Sequence, residues 1–128
     1  VWDNTKALLE IDGLIVYPGA ELPIIEAIRL GAPGCISATA NLNGTDIAEV
    51  IDLCLADNWK LAETKHKKVC AVRLMFQDYA PIPAQKALLA RSTGHRAWGN
   101  LRAPMRPMEK DKLDALANGL ASEFGMHF

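Results

Sequence analysis

Two short apolar runs, Leu14-Ile15-Val16-Tyr17 and Gly34-Cys35-Ile36-Ser37, interrupt a chain whose other apolar residues recur at spacings of three and four. Each run is closed by small or polar residues: Pro18-Gly19-Ala20 after the first, Ala38-Thr39-Ala40-Asn41 after the second. Continuous runs of this kind suit strands covered on both faces, and parallel strands of that type are joined by helical crossovers. The stretch between them, 22–30, reads as such a helix. Pro23 suits its first turn, Ile24, Ala27, Ile28 and Leu30 form an inner face, and Gly31 is placed to end it. The pattern predicts a β/α/β unit whose working surface lies at the carboxyl ends of its strands, at Gly19 and along 36–41.

The flanking segments read as helices. An opening helix over 2–10 can be capped by Asp3 or Asn4, with Ala7, Leu8 and Ile11 on its apolar side. A helix from Asn43 to about residue 57 has Asp46 and Glu49 at capping-box spacing and a stripe of Ile47, Val50, Ile51, Cys54 and Leu55. Asp57-Asn58 marks a break before a long helix over 59–76. Pro81 and Pro83 stop that helix, since neither carries a backbone donor; Pro83 suits the first turn of another, which runs over 84–92 to Gly94. A loop holding Trp98, Arg102 and Arg106 leads to a last amphipathic helix over 109–124, with Leu113, Leu116, Leu120 and Phe124 on one side. Two strands followed mostly by helices define an α/β chain.

At 128 residues, half of them hydrophobic and with a net charge of -1, the chain has the size of one ordinary domain. That balance gives no reason to expect nucleic acid or an anionic membrane as partner. No apolar run is long enough to span a bilayer and no leader opens the chain, which makes the cytoplasm the default location. The first residue is Val1 rather than Met, and the chain starts as if cut from something longer. Cys35, Cys54 and Cys70 have no C-x-x-C spacing and sit in apolar surroundings, so burial accounts for them better than a disulfide or a metal. The run Lys65-His66-Lys67-Lys68 could meet a phosphate, but Glu63 lies beside it and a solvated helix face explains it better. His66, His95 and His127 have no partner at metal-ligand spacing.

These residues, in this order, resemble the carboxyl-terminal portion of the dihydrodipicolinate synthase and N-acetylneuraminate lyase family of pyruvate-dependent class I aldolases. The resemblance rests on Tyr17-Pro18-Gly19, on Gly31-Ala32-Pro33-Gly34-Cys35-Ile36-Ser37-Ala38-Thr39-Ala40-Asn41, on Pro81-Ile82-Pro83-Ala84-Gln85-Lys86 and on Leu101-Arg102-Ala103-Pro104-Met105. It implies the end of a (β/α)8 TIM barrel, with strand seven at 14–17 and strand eight at 34–37, followed by a helical appendage. Residues 1–57 would close the barrel and 58–128 would form the helical region.

The same resemblance implies a Schiff-base lyase in which an amine of the protein bonds pyruvate, with no cofactor and no metal. The reactive lysine is expected upstream of Val1, together with the tyrosine that relays protons and the segment that binds the pyruvate carboxylate. The chain would then contribute pocket wall without a catalytic residue of its own. Ile36 matches the position whose main-chain carbonyl faces pyruvate, and Gly19 the small residue that leaves room for substrate. The residue types alone also fit a positive-φ turn at Gly19 and barrel packing at Ile36. Glu21 lies where the sialic-acid branch uses acids to hold a sugar tail. With Leu22 in place of a second acid and Ala38 in place of a hydroxyl residue, sialic acid fits less well than another sugar acid or a dihydrodipicolinate synthase-like aldehyde. A homo-oligomer, dimer or tetramer, is expected. The competing expectation is a non-catalytic helical module derived from this fold, assembling through its exposed edge.

Overall fold

The computed structural model describes residues 2–128. Among these residues are six α-helices: α1 Trp2–Leu9, α2 Ile24–Arg29, α3 Ala40–Leu55, α4 Trp59–Met75, α5 Pro81–Thr93 and α6 Lys110–Phe124, with a 3-10 turn at Arg96–Gly99. The chain divides into two compact units, one running to Arg73 and the other spanning Leu74–Phe128.

No strand forms among the described residues, which overturns the α/β assignment and the identification of 14–17 and 34–37 as strands seven and eight of a (β/α)8 barrel. The nearest thing to a ladder is one backbone hydrogen bond, from the Ile36 amide to the carbonyl of Pro18, just past the first segment, at 3.0 Å. A ladder needs repeated bonds between neighbours, and a pair of segments without lateral partners is marginal even when its composition favours strands. Leu14, Ile15 and Ile36 are accordingly exposed, Ile15 to 72% and Ile36 to 71%. The apolar side expected for the first helix is uncovered too: Ala7, Leu8 and Ile11 are all exposed, and Ile11 lies beyond the helix end.

In the first unit the core is made by α2, α3 and α4. Six residues are too few for a helix to persist alone, but Ile24, Ile25, Ala27 and Ile28 are all buried. The three isoleucines cluster with Ile47, Val50, Cys54, Ala62 and Val69, and Trp59 packs against them. Each large aliphatic removed from water in this way contributes about 1.5–3 kcal/mol before the entropy of ordering is set against it.

The third helix begins at Ala40, earlier than its composition suggests, and is interrupted by a non-helical Asn43 at φ -122° and ψ 31°. The Asn43 side-chain amide is buried and makes no hydrogen bond among the described residues. The capping box is absent because both of its acids reach across to α4: Asp46 pairs with Lys68 at 2.9 Å and Glu49 with Lys65 at 2.8 Å. The basic run of α4 thus lies along α3. The break at Asp57-Asn58 is formed as the sequence indicates. Asp57 takes the left-handed conformation, φ 57°, while the amides of Asp57 and Asn58 bond back to the carbonyls of Cys54 and Leu53.

In the second unit α5 begins at Pro81, three residues before the expected start. Pro81 and Pro83 both fall in the first turn, where amides have no intrahelical acceptor, so the missing donors cost nothing there. Leu88 of α5 and Leu116 and Leu120 of α6 are fully or almost fully buried. On the surface of this unit Arg91 reaches Asp114 at 2.8 Å.

Candidate functional site

The two closing turns that the sequence marks as a working surface lie together in the first unit. The bond from the Ile36 amide to the buried Pro18 carbonyl sets Ile36 beside Gly19. Gly19 lines an open cleft of about 700 Å³ whose walls include Trp2, Leu22, Ile25, Arg29 and His66. A Cβ built on Gly19 would meet nothing within 4 Å, and its φ is not positive, so no turn geometry demands glycine there. Ile36 is not among the cleft residues and its side chain points to solvent.

Beside these two positions lies a polar cluster whose members the sequence did not connect, and in it Glu21 faces neighbouring side chains rather than a sugar tail. Glu21 is completely buried. Ser37 Oγ donates to its Oε2 at 2.5 Å, Thr39 Oγ1 donates to its Oε1, and the two hydroxyl oxygens are 3.0 Å apart. Arg73 Nε stands 4.0 Å from Oε2. A carboxylate out of water is tolerated only when its oxygens are bonded, and hydrogen bonds to a charged group are the stronger kind, each contributing about 1.5–3 kcal/mol. His66 completes the arrangement from α4, its Nε2 donating to the Glu21 carbonyl at 2.8 Å, with Cys70 Sγ 3.3 Å from the same nitrogen. The signal for the cluster in the sequence is slight: one acid directly before the apolar run Leu22-Pro23-Ile24-Ile25, and hydroxyls at alternate positions 37 and 39.

The remaining polar groups on this side are engaged structurally. Arg29 pairs with Glu63 at 2.7 Å and lies 5.0 Å from the Trp59 ring centroid. All three cysteines are free. Burial pushes the Cys35 and Cys70 thiols up, and the Glu21 charge adds to it. Burial also raises Cys54, partly countered by Arg29 and reinforced by Glu63. Thiols held protonated in this way are poor nucleophiles. Among the described residues no group of three or more His, Cys, Asp or Glu could hold a metal ion, and no helix is long and apolar enough to cross a membrane.

Residues 3–123 match the Dihydrodipicolinate synthetase family, and the chain belongs to it. It is 32% identical over 94 residues to the 4-hydroxy-tetrahydrodipicolinate synthase of Buchnera aphidicola subsp. Baizongia pistaciae, covering 73% of this chain and 31% of that protein. It is 29% identical over 121 residues to the synthase of Nitrosococcus oceani, covering 92% of this chain and 40% of the relative. The chain therefore spans only 31–40% of the length of these relatives. In fold it is similar to dihydrodipicolinate synthase from Agrobacterium tumefaciens, with a TM-score of 0.72 at 22% identity over 96% of this chain and 40% of that one.

Proposed function

We propose that this chain is the part of a pyruvate-dependent, Schiff-base-forming lyase of the 4-hydroxy-tetrahydrodipicolinate synthase kind that supplies pocket wall through Gly19 and through the main-chain carbonyl, not the solvent-facing side chain, of Ile36. In such a reaction an amine condenses with the ketone of pyruvate, losing water, and the resulting iminium draws electrons from the neighbouring carbon so that a carbon–carbon bond can form or break. The observation that carries this reading is the pairing of Gly19 and Ile36 through the Pro18 carbonyl, with open space at the glycine.

The amine comes from outside these 128 residues. A Schiff-base lysine needs a desolvated site to lower its pKa, whereas all eight lysines here lie on helices and none is buried. Four of them, Lys65, Lys68, Lys110 and Lys112, are paired with acids. The reading includes an aldehyde co-substrate, a homo-oligomer of two or four copies and a cytoplasmic setting.

Borohydride reduction of the full polypeptide in the presence of pyruvate tests it. A covalent adduct is expected on a lysine beyond this segment, and an adduct on any lysine named here would overturn the division of roles. In the same protein Gly19→Leu is expected to abolish most turnover while leaving the thermal midpoint nearly unchanged. Unaltered kinetics would remove Gly19 from the site. A second reading, a non-catalytic helical assembly module, is favoured only by the exposure of Ile15 and Ile36. An obligate oligomer that takes up no pyruvate would support it over the first.

A further inference from the structure

We infer that Glu21 is a positioning residue: its carboxylate, held by the Ser37 and Thr39 hydroxyls, clasps the turn at 18–21 to the turn at 36–39 and so fixes Gly19 relative to Ile36. This rests on the reading of Gly19 and Ile36 as pocket wall.

The need for such a clasp follows from what the two turns lack. One backbone hydrogen bond joins them, and without a ladder their separation is not set by strand pairing. Packing does not hold the two residues either, since Ile36 is 71% exposed and Gly19 has open space around it. What does span the gap is the side chain of Glu21, which reaches residues 16 and 18 positions further along the chain. Both of its oxygens are used and the carboxylate is wholly buried, so no competing water contact loosens the arrangement.

The clasp is also tied to the helical core. His66 holds the Glu21 backbone from α4, Arg73 of the same helix faces the carboxylate, and Ile24, Ile25, Ala27 and Ile28, which follow Glu21 by a few residues, are buried. Glu21 thus transmits the position of the rigid helices to two turns that have little rigidity of their own. An aspartate at 21 would be one methylene too short to bridge the same gap, and a glutamine would present an N–H group to one of the two donors.

The test uses the full polypeptide with Thr39→Val, which keeps the side-chain shape and deletes one donor, and Thr39→Ser, which restores it. Thr39→Val is expected to raise KM for pyruvate on the order of tenfold with a smaller change in kcat, the size of effect one hydrogen bond to a charged group can produce. It is also expected to speed hydrogen exchange of the Ile36 amide by a similar factor, and Thr39→Ser should return both to near the parent values. A valine variant whose thermal midpoint falls while KM and Ile36 exchange stay at the parent values would reduce Glu21 to packing and overturn the inference. If the valine variant does not fold, Ser37→Ala, which removes the other donor at a half-buried position, is judged by the same two readouts. A parent protein that takes up no pyruvate would instead overturn the proposed function, and Ile36 exchange alone would then decide the clasp.

Discussion

Two carboxylates in this chain, one in each unit, solve the same problem in opposite ways. Glu21 is fully buried and is satisfied mainly by neutral hydroxyls, with the guanidinium of Arg73 at the limit of ion-pair range. Asp114 sits at the surface of α6 between two full charges, Arg91 at 2.8 Å and Lys110 at 2.9 Å. The formal charges around Asp114 are greater, yet water competes for every one of them, and exposed pairs of this kind contribute little. Around Glu21 there is no water to fall back on, so each bond is stronger and each loss leaves a stranded group. Removing a neutral partner from the buried acid therefore matters more than removing a charged partner from the exposed one.

The largest effect should come from Glu21→Ala, which leaves the Ser37 and Thr39 hydroxyls and the Arg73 guanidinium without their acceptor at a buried site. A loss of about 3 kcal/mol or more is expected from denaturant unfolding, and a loss below ~1 kcal/mol would mean that water enters and replaces the carboxylate. Next comes the pairing of α3 with α4. Lys65→Ala and Lys68→Ala, which free Glu49 and Asp46, should each cost under ~1 kcal/mol and lose most of that difference in high salt. A salt-independent cost would show that these pairs are less solvated than their geometry indicates.

The smallest effect belongs to Asp114. Hydrogen bonds from Lys110 and Arg91, with their charges, hold its carboxyl below the usual carboxylate range, Lys110 being the larger influence and partial desolvation opposing it. A depressed folded value means that its stabilisation is present above the ordinary carboxylate pKa and disappears as pH falls through the folded one. Stability curves for the parent and Asp114→Asn should therefore be separated slightly at neutral pH and converge in acid. Curves that diverge on acidification would reverse the assigned sign.

The helices were largely legible from the sequence because their signals are local. Apolar spacing located α2, α4 and α6 to within a few residues, and Asp57-Asn58 marked the turn where Asp57 adopts positive φ. Where a rule fails, a competing contact explains it: the acids of the expected capping box bond to Lys65 and Lys68 instead. The first turn of α5 holds Pro83, as its sequence suits, and takes in Pro81 as well. The strands failed for a different reason. Composition at 14–17 and 34–37 expresses suitability for a sheet, but a strand exists only where neighbours supply hydrogen bonds, and the one bond nearby goes from Ile36 to Pro18, beyond the first segment.

The residues alone determined the family resemblance and the helical punctuation, since each depends on nearest neighbours in the chain or on the order of short motifs. Tertiary structure alone decided that Glu21, Ser37, Thr39 and His66 meet. Their separations of 16, 18 and 45 positions carry no periodic signal, and what selects them is the demand of a buried carboxylate for donors, which arises only after α2 and α4 have drawn the acid out of water.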